Sequence, residues 1–169
     1  HVAEIQEVEE PVPAANEVVI EVGYASLNRG ELSLLPTRPS WRPGQDIAGV
    51  VVQAASDGNG PGVGSRVVAV VDEGGWAKRA AAPVSRVGLL PDHVTFSQGA
   101  TLGVAGLTAL RVLRVGGYLF VSRVLVTGAA GGVGTFAVQL AHLAGADVTA
   151  VARSKERGRP LLELGARHV

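Results

Sequence analysis

The sequence predicts an α/β plus β fold class, in which an all-β, barrel-like unit precedes a doubly wound parallel α/β unit. Two observations lead to this prediction. In the first 95 residues, short apolar runs such as Glu17 to Ala25 and Asp46 to Ala55 alternate with turn-forming clusters, which is typical of an antiparallel barrel. From Val124 onward, the chain instead shows a buried strand, a glycine-rich turn and a helix, the order found in parallel nucleotide-binding sheets.

Two further strands are predicted in the β unit, over Arg66 to Val71 and Gly75 to Ala82, with a turn between them. His1 to Pro13 is acidic and contains prolines, so it is interpreted as an edge segment or loop. Ser26 to Leu32 is expected to be a turn that passes into one turn of helix.

The periodicity becomes helical after the β unit. A helix is predicted over Ser97 to Arg114 because apolar residues recur close to helical spacing, and the glycine pair 116–117 would end it. This helix is expected to bridge the two units. The predicted division is therefore residues 1–95, a connection over 96–122, and 123–169.

The strongest functional signal is the run Val124 to Gly134, VLVTGAAGGVG, in which three glycines spaced three apart follow a β-branched strand. A helix starting near Gly132 would add its positive dipole end and free amides, so the loop is expected to bind a pyrophosphate. The expected cofactor-binding residues of the loop are Gly128, Ala129, Ala130, Gly131, Gly132, Val133 and Gly134. The alternative is a glycine-rich turn of another α/β protein; an ATP-type loop is disfavoured because no Lys-Ser/Thr pair follows the last glycine.

The residues after the next predicted strand, Asp147 to Ala152, indicate which dinucleotide is bound. An acidic residue there would accept the ribose hydroxyls of NAD, whereas basic or hydroxyl residues accommodate a 2′-phosphate. The chain has Arg153, Ser154 and Lys155 at this place and no carboxylate until Glu156, which favours NADP(H). The alternative is that the two cations are solvated charges at the start of the next helix. That helix leads to residues 165–169, expected to start a third parallel strand.

Composition excludes several classes of function. The 15 basic residues balance the 15 acidic residues, so no nucleic-acid or membrane partner is expected. The absence of cysteine excludes disulfides, thiolate nucleophiles and Cys-ligated zinc. No signal peptide or spanning segment is recognised, and a cytoplasmic location is expected.

Three segments resemble the medium-chain dehydrogenase/reductase superfamily, and within it the zinc-independent quinone oxidoreductase-like branch. They are Ser26 to Leu32 (SLNRGEL), Pro43 to Val52 (PGQDIAGVVV) and Thr127 to Leu140 (TGAAGGVGTFAVQL). The resemblance implies an N-terminal GroES-like substrate and catalytic domain, a Rossmann cofactor domain, an active site in the cleft between them, and a possible homodimer. Only the first half of that Rossmann domain is present, so the sequence is expected to be a fragment or the ordered part of a longer protein.

The departures from zinc-dependent members concern the metal ligands. Those members have Cys where this chain has Asn28, and Gly-His-Glu where it has Gly44, Gln45 and Asp46. Because amides replace two ligands of a metal that prefers thiolate, imidazole or carboxylate, no metal site is expected.

The resemblance implies hydride transfer from NADPH to a small-molecule quinone or α,β-unsaturated carbonyl (enone or alkenal). Asn28 is expected to hydrogen-bond the nicotinamide ribose or a substrate oxygen, Gln45 to keep a polar role beside it, and Thr108 to face the nicotinamide. Structural alternatives are turn geometry for Asn28, a loop-to-strand junction for Gln45, and a hydrogen bond to a helical carbonyl for Thr108.

Three aromatic residues have expected places. Tyr24 and Trp76 are expected to pack within the β unit, and Trp41 to lie in a loop that could line the cleft.

Two other functions stay open. One is a dinucleotide-binding protein with little activity, such as a crystallin-like or redox-sensing relative. The other is an enoyl-reductase module of a larger synthase.

Overall fold

The computed structural model describes residues 4–38 and 40–169. It divides into two compact units, with the boundary between Ala100 and Thr101. The first unit is built on an antiparallel sheet and the second on a parallel pair of strands with helices, so the predicted order of an all-β unit and an α/β unit is confirmed.

The first unit contains one five-stranded antiparallel sheet, with strand order β4-β1-β2-β3-β5. The strands are β1 (Glu17–Ala25), β2 (Asp46–Gln53), β3 (Arg66–Val70), β4 (Arg79–Pro83) and β5 (Val87–Leu89). Its core is a cluster of fully buried aliphatic side chains, the largest being Val18, Ile20, Ile47, Val51 and Val67. Strand β3 alternates between buried and half-buried residues, whereas consecutive residues 18–20 of β1 and 46–49 of β2 are buried, so both faces of these two strands are covered there.

Two strands differ from the sequence prediction. The predicted strand Gly75 to Ala82 begins only at Arg79, because the backbone N–H groups of Gly75 and Trp76 donate to the carbonyls of Gly44 and Pro43 instead of to a ladder. Strand β5 was not predicted, since its three residues are too short to show a period.

The helical stretch after the sheet is three short segments and not one helix. These are α2 (Phe96–Gly99), a π-helical turn (Leu102–Gly106) and α3 (Leu107–Val115). Glycines at 99, 103 and 106 weaken regular helix, and wide π turns occur where a helix is interrupted. The prediction of a continuous helix over Ser97 to Arg114 is therefore wrong.

The second unit contains a β-α-β crossover. Strands β6 (Arg123–Thr127) and β7 (Asp147–Val151) pair in parallel and are connected by α4 (Gly132–Leu143), which ends before Gly145 at φ +82°. The last helix is α5 (Lys155–Glu163), after which His168 bridges Thr149 in parallel. The predicted start of a third parallel strand is thus confirmed.

The helices of the described residues are short. The longest, α4, has 12 residues. Among residues 4–38 and 40–169, no helix is long and apolar enough to cross a membrane.

Candidate functional site

Asn28 lies in the loop after β1, at the residue before α1 (Arg29–Leu34). Its backbone N–H donates to Glu31 Oε2 at 2.7 Å, and its carbonyl accepts from the Glu31 N–H at 3.1 Å. This is the arrangement in which a carboxylate three residues into a helix satisfies the backbone at its start. The predicted turn and single helical turn are confirmed.

The Asn28 side chain belongs to a group of three polar side chains, Ser26, Asn28 and Asp46, which we call the Asn28 cluster. Asn28 Nδ2 donates to Asp46 Oδ2 at 2.9 Å and to Ser26 Oγ at 3.3 Å. Ser26 Oγ donates to the same Asp46 oxygen at 2.8 Å. Asp46 is fully buried as the first residue of β2, so a buried carboxylate anchors the amide.

Glu31 is a second buried carboxylate next to this cluster. Besides the Asn28 N–H, it accepts hydrogen bonds at Oε1 from the N–H groups of Gly44 (3.1 Å) and Gln45 (2.9 Å). One side chain thus satisfies three backbone donors and ties the loop after β1 to the segment before β2. The sequence analysis missed this role, although the Asn-x-x-Glu spacing of a capping box was available as a signal.

Gln45 is held next to the Asn28 loop by its backbone. Its N–H donates to Glu31, and its carbonyl accepts from the Val71 N–H at 2.8 Å. The side chain is half-buried. The structure therefore brings Asn28 and Gln45 together through Glu31, and their catalytic roles stay predictions.

The aromatic residues of the first unit differ in their exposure. Trp41 is buried, with its indole N–H donating to the Asp72 carbonyl at 3.1 Å, so it is a packing residue. Trp76 is 36% exposed and donates from its indole N–H to the Ser26 carbonyl at 3.0 Å. Tyr24 is 55% exposed and does not pack in the core. The expected packing of Tyr24 is therefore wrong, Trp76 contacts the unit although its ring is partly exposed, and a place for Trp41 beside a cleft stays a prediction.

The side chains that could bind a metal ion are dispersed in the described residues. In the described part of the chain, no three His, Asp or Glu residues lie close enough together to hold a metal ion. The carboxylate that contacts the Asn28 side-chain amide, that of Asp46, accepts O–H and N–H donors from its own neighbours.

The glycine loop of the second unit connects β6 to α4. Gly128 has φ +61°, a conformation that glycine adopts readily, and its carbonyl accepts from the Gly131 N–H at 2.9 Å. Helix α4 begins at Gly132, so the amides of Gly132, Val133 and Gly134 lie in its first turn, where no helical acceptor precedes them. The predicted strand, turn and helix are confirmed, with free donors at the helix start.

The end of the loop packs too closely for any side chain at Gly134. A Cβ added there would lie 2.4 Å from the Gly128 carbonyl oxygen and 2.6 Å from Ala129 Cα. Ala129 is buried and its N–H donates to the Val151 carbonyl at 3.1 Å, while Ala130 is half-buried. The loop is thereby tied to both α4 and β7.

Arg153, Ser154 and Lys155 follow β7 and are exposed. Ser154 is the N-cap of α5, and its Oγ accepts from the Arg157 N–H at 3.4 Å. Thr127 and Val151 are register partners at the carboxyl ends of β6 and β7. The glycine loop and the Arg153 segment therefore start from the same edge of the sheet, where open α/β sheets bind ligands.

Thr108 belongs to the second unit. It is exposed in the first turn of α3. Its predicted contact with a nicotinamide stays a prediction.

Comparisons with known proteins identify two families along the chain. Residues 14–118 match the family described as "Alcohol dehydrogenase GroES-like domain", and residues 132–169 match "Zinc-binding dehydrogenase". The chain is 38% identical over 157 residues to the "Chloroplast envelope quinone oxidoreductase homolog" of Arabidopsis thaliana, covering 83% of this chain and 48% of that protein. It is 36% identical over 171 residues to "Trans-enoyl reductase tazE" of Aspergillus terreus, covering 86% of this chain and 56% of that protein.

Solved structures give the same relationship. The quinone oxidoreductase from Thermus thermophilus, solved also in complex with NADPH, superposes with a TM-score of 0.84 at 32% identity, covering 98% of this chain and 54% of that one. The chain spans about half the length of the curated relatives it matches. The GroES-like family matches over half of the residues, and a Rossmann-type domain follows. The chain therefore belongs to the medium-chain dehydrogenase/reductase superfamily, in the quinone oxidoreductase-like branch.

Proposed function

We propose that this protein transfers a hydride from NADPH to a quinone or an α,β-unsaturated carbonyl compound without zinc. The observation that supports the proposal best is the position of the glycine loop, whose amides at the start of α4 are free donors. The loop and the exposed cations Arg153 and Lys155 follow the carboxyl ends of the paired strands β6 and β7, at the same edge of the sheet. This is the combination that a dinucleotide with a 2′-phosphate requires.

The loop fits the pyrophosphate of NADPH. The amides of Gly132, Val133 and Gly134 would donate to phosphate oxygens, and the absence of side chains at Gly131 and Gly132 lets the anion approach the backbone. Arg153 and Lys155 would bind the 2′-phosphate. The Ser154 oxygen already accepts a helix-capping bond, and its O–H hydrogen can still donate to that phosphate.

The reduced nicotinamide, when bound, supplies the hydride. Asn28 and Gln45 of the GroES-like domain and Thr108 of the cofactor domain are proposed to orient the reactants. A conjugated acceptor suits such a site because hydride addition gives a delocalised anion, which does not need a metal to form. The side chains at this place do not fit zinc, because Asn28 and Gln45 are amides and the Asp46 carboxylate accepts hydrogen bonds from N–H and O–H donors.

A titration of the complete encoded protein with NADPH and with NADH tests the cofactor site. Arg153→Ala is expected to weaken NADPH binding about 10- to 100-fold, the value of one charge-assisted hydrogen bond, with NADH binding unchanged. The matched control is Arg159→Ala, an exposed arginine of α5, which should affect neither cofactor. Equal loss for both nucleotides, or no loss for either, would contradict the assignment of Arg153.

A second candidate function is supported by the similarity to a trans-enoyl reductase. Assays of NADPH oxidation with quinones, enones and enoyl thioesters would separate the two. Preference for enoyl thioesters favours an enoyl-reductase module, and tight cofactor binding with no turnover of any acceptor favours a binding protein.

The remaining parts of the proposal concern organisation. We assign residues 1–95 to substrate binding and catalysis, 96–122 to a connection, and 123–169 to the cofactor. Homodimerisation and a cytoplasmic location stay predictions, which light scattering and cell fractionation would test.

A further inference from the structure

The loop between β2 and β3 contains an asparagine whose surroundings allow a covalent change of the backbone. Asn59 is exposed in this loop and is followed by Gly60. We propose that Asn59 is a site of spontaneous deamidation in the folded protein, at which the carboxamide becomes a carboxylate and part of the product has an isoaspartyl backbone. The site is independent of the proposed function, because it involves neither a cofactor nor an acceptor.

The reaction needs only water as a co-reactant. The backbone nitrogen of Gly60 attacks Cγ of Asn59, so a new N–Cγ bond forms and the Cγ–Nδ2 bond breaks. The proton of the attacking N–H passes through water to Nδ2, which leaves as ammonia. Water then opens the five-membered imide at Cγ, which gives an aspartyl residue, or at the main-chain carbonyl carbon, which gives an isoaspartyl residue. No atom is oxidised or reduced.

Both reacting groups are free in the structure. Within the described residues, neither the Asn59 carboxamide nor the Gly60 N–H makes a hydrogen bond, and both residues are exposed. The Asn59 backbone N–H donates to Asp57 Oδ1 at 2.9 Å, which holds the loop without engaging either reacting group. Gly60 has φ +81°, which glycine adopts readily, and it has no Cβ beside the attacking nitrogen. The nitrogen can therefore approach Cγ of the preceding side chain.

The other two asparagines of the chain have different surroundings. Asn16 is followed by Glu17, whose N–H already donates to a backbone carbonyl at 3.0 Å. Asn28 is followed by Arg29, and its Nδ2 makes two hydrogen bonds within the Asn28 cluster. In both pairs the following residue carries a Cβ that crowds the attacking nitrogen. The structure therefore selects Asn59 among the three.

The modification would also disturb a packing contact. A Cβ built on Gly60 would lie 2.6 Å from Val84 Cγ1, so the glycine lies directly against this side chain. Val84 in turn packs against the core of the first unit. An isoaspartyl residue adds one methylene group to the backbone immediately before the contact, and either product places a new negative charge beside Asp57. We therefore expect deamidation to loosen the loop from Val84.

Peptide mass spectrometry on the complete encoded protein tests the site. After incubation in neutral buffer, the peptide with Asn59 should gain about 1 Da, the difference between NH2 and OH, and part of it should elute as an isoaspartyl isomer. The peptides with Asn16 and Asn28 are internal controls and should change about tenfold more slowly or less, because no glycine follows. Asn59→Gln is the matched variant and should stay unmodified, because its longer side chain would have to close a six-membered ring.

The same incubation in guanidinium chloride separates the effect of the fold from that of the sequence. Conversion of Asn59 in the unfolded chain without conversion in the folded protein would show that the fold protects the loop, and would overturn the inference. Equal conversion of all three asparagines in the folded protein would overturn it as well.

Unfolding of fresh and incubated protein tests the consequence for packing. Incubated wild type should unfold at a lower denaturant concentration than fresh wild type, as followed by the fluorescence of the two tryptophans of the first unit. Incubated Asn59→Gln should unfold as its fresh form does. Equal midpoints of fresh and fully converted wild type would overturn the expected release from Val84.

Discussion

Replacing the buried carboxylate of Glu31 by a carboxamide tests whether this side chain holds the candidate catalytic loop in place. In the structure, Oε2 accepts from the Asn28 N–H, and Oε1 accepts from the N–H groups of Gly44 and Gln45. In Glu31→Gln, the best orientation keeps the carbonyl oxygen on the pair of donors. The new NH2 group then faces the Asn28 N–H, and two donors meet.

The expected loss of stability can be built from these contacts. A lost hydrogen bond to a charged group costs about 1.5–3 kcal/mol, and each of the two remaining bonds weakens by about 1 kcal/mol as the acceptor becomes neutral. The variant no longer has to desolvate a carboxylate, which offsets part of this cost. We therefore expect Glu31→Gln to lower the free energy of unfolding of the first unit by about 2–4 kcal/mol.

Tryptophan fluorescence during urea unfolding measures this change in the correct unit. The chain has two tryptophans, Trp41 and Trp76, and both belong to the first unit, so the signal does not require the two units to unfold together. The control is Glu21→Gln, the same chemical change at an exposed position of β1, which should shift stability by less than about 0.5 kcal/mol. If both variants shift equally little, Glu31 does not organise the loop as argued.

Two further predictions concern the second unit and are followed by helical ellipticity at 222 nm during heating. Gly134→Ala should destabilise this unit by about 1–3 kcal/mol, because its Cβ would lie 2.4 Å from the Gly128 carbonyl oxygen. The control is Gly132→Ala, whose Cβ meets nothing nearer than 3.6 Å, and it should melt as the wild type does. Equal melting of the two variants would refute the close-packing argument. Val121 has φ +60°, a conformation that strains a β-branched residue by about 1–2 kcal/mol. Because glycine relieves this strain but costs conformational entropy, Val121→Gly should stabilise the second unit by about 0.5–1 kcal/mol. A lower melting temperature of the variant would show that the strain is absent.

The sequence alone determined the nucleotide-binding crossover of this protein. Strand β6, the glycine turn, α4 and β7 are defined by local rules: a β-branched run, three glycines at fixed spacing, and helix formers ended by Gly145. Residues that make such an element are neighbours in the chain, so their order predicts their geometry. The same is true of β3, whose buried and half-buried residues follow a period of two, whereas β1 and β2 bury runs of consecutive residues.

Only the tertiary structure decided the chemistry around Asn28. Asn28 and Asp46 are 18 residues apart, and Glu31 and Gln45 are 14 apart, so no local pattern indicates that their hydrogen bonds exist. Motif resemblance marked Asn28, but the carboxylate that accepts from its side-chain amide, Asp46, is brought in by another strand. The sequence also does not distinguish Trp41 from Trp76, whose exposure differs in the fold. Long-range contacts are set by the packing of whole elements, which is why the sequence identified the candidate residues and the fold determined their orientation.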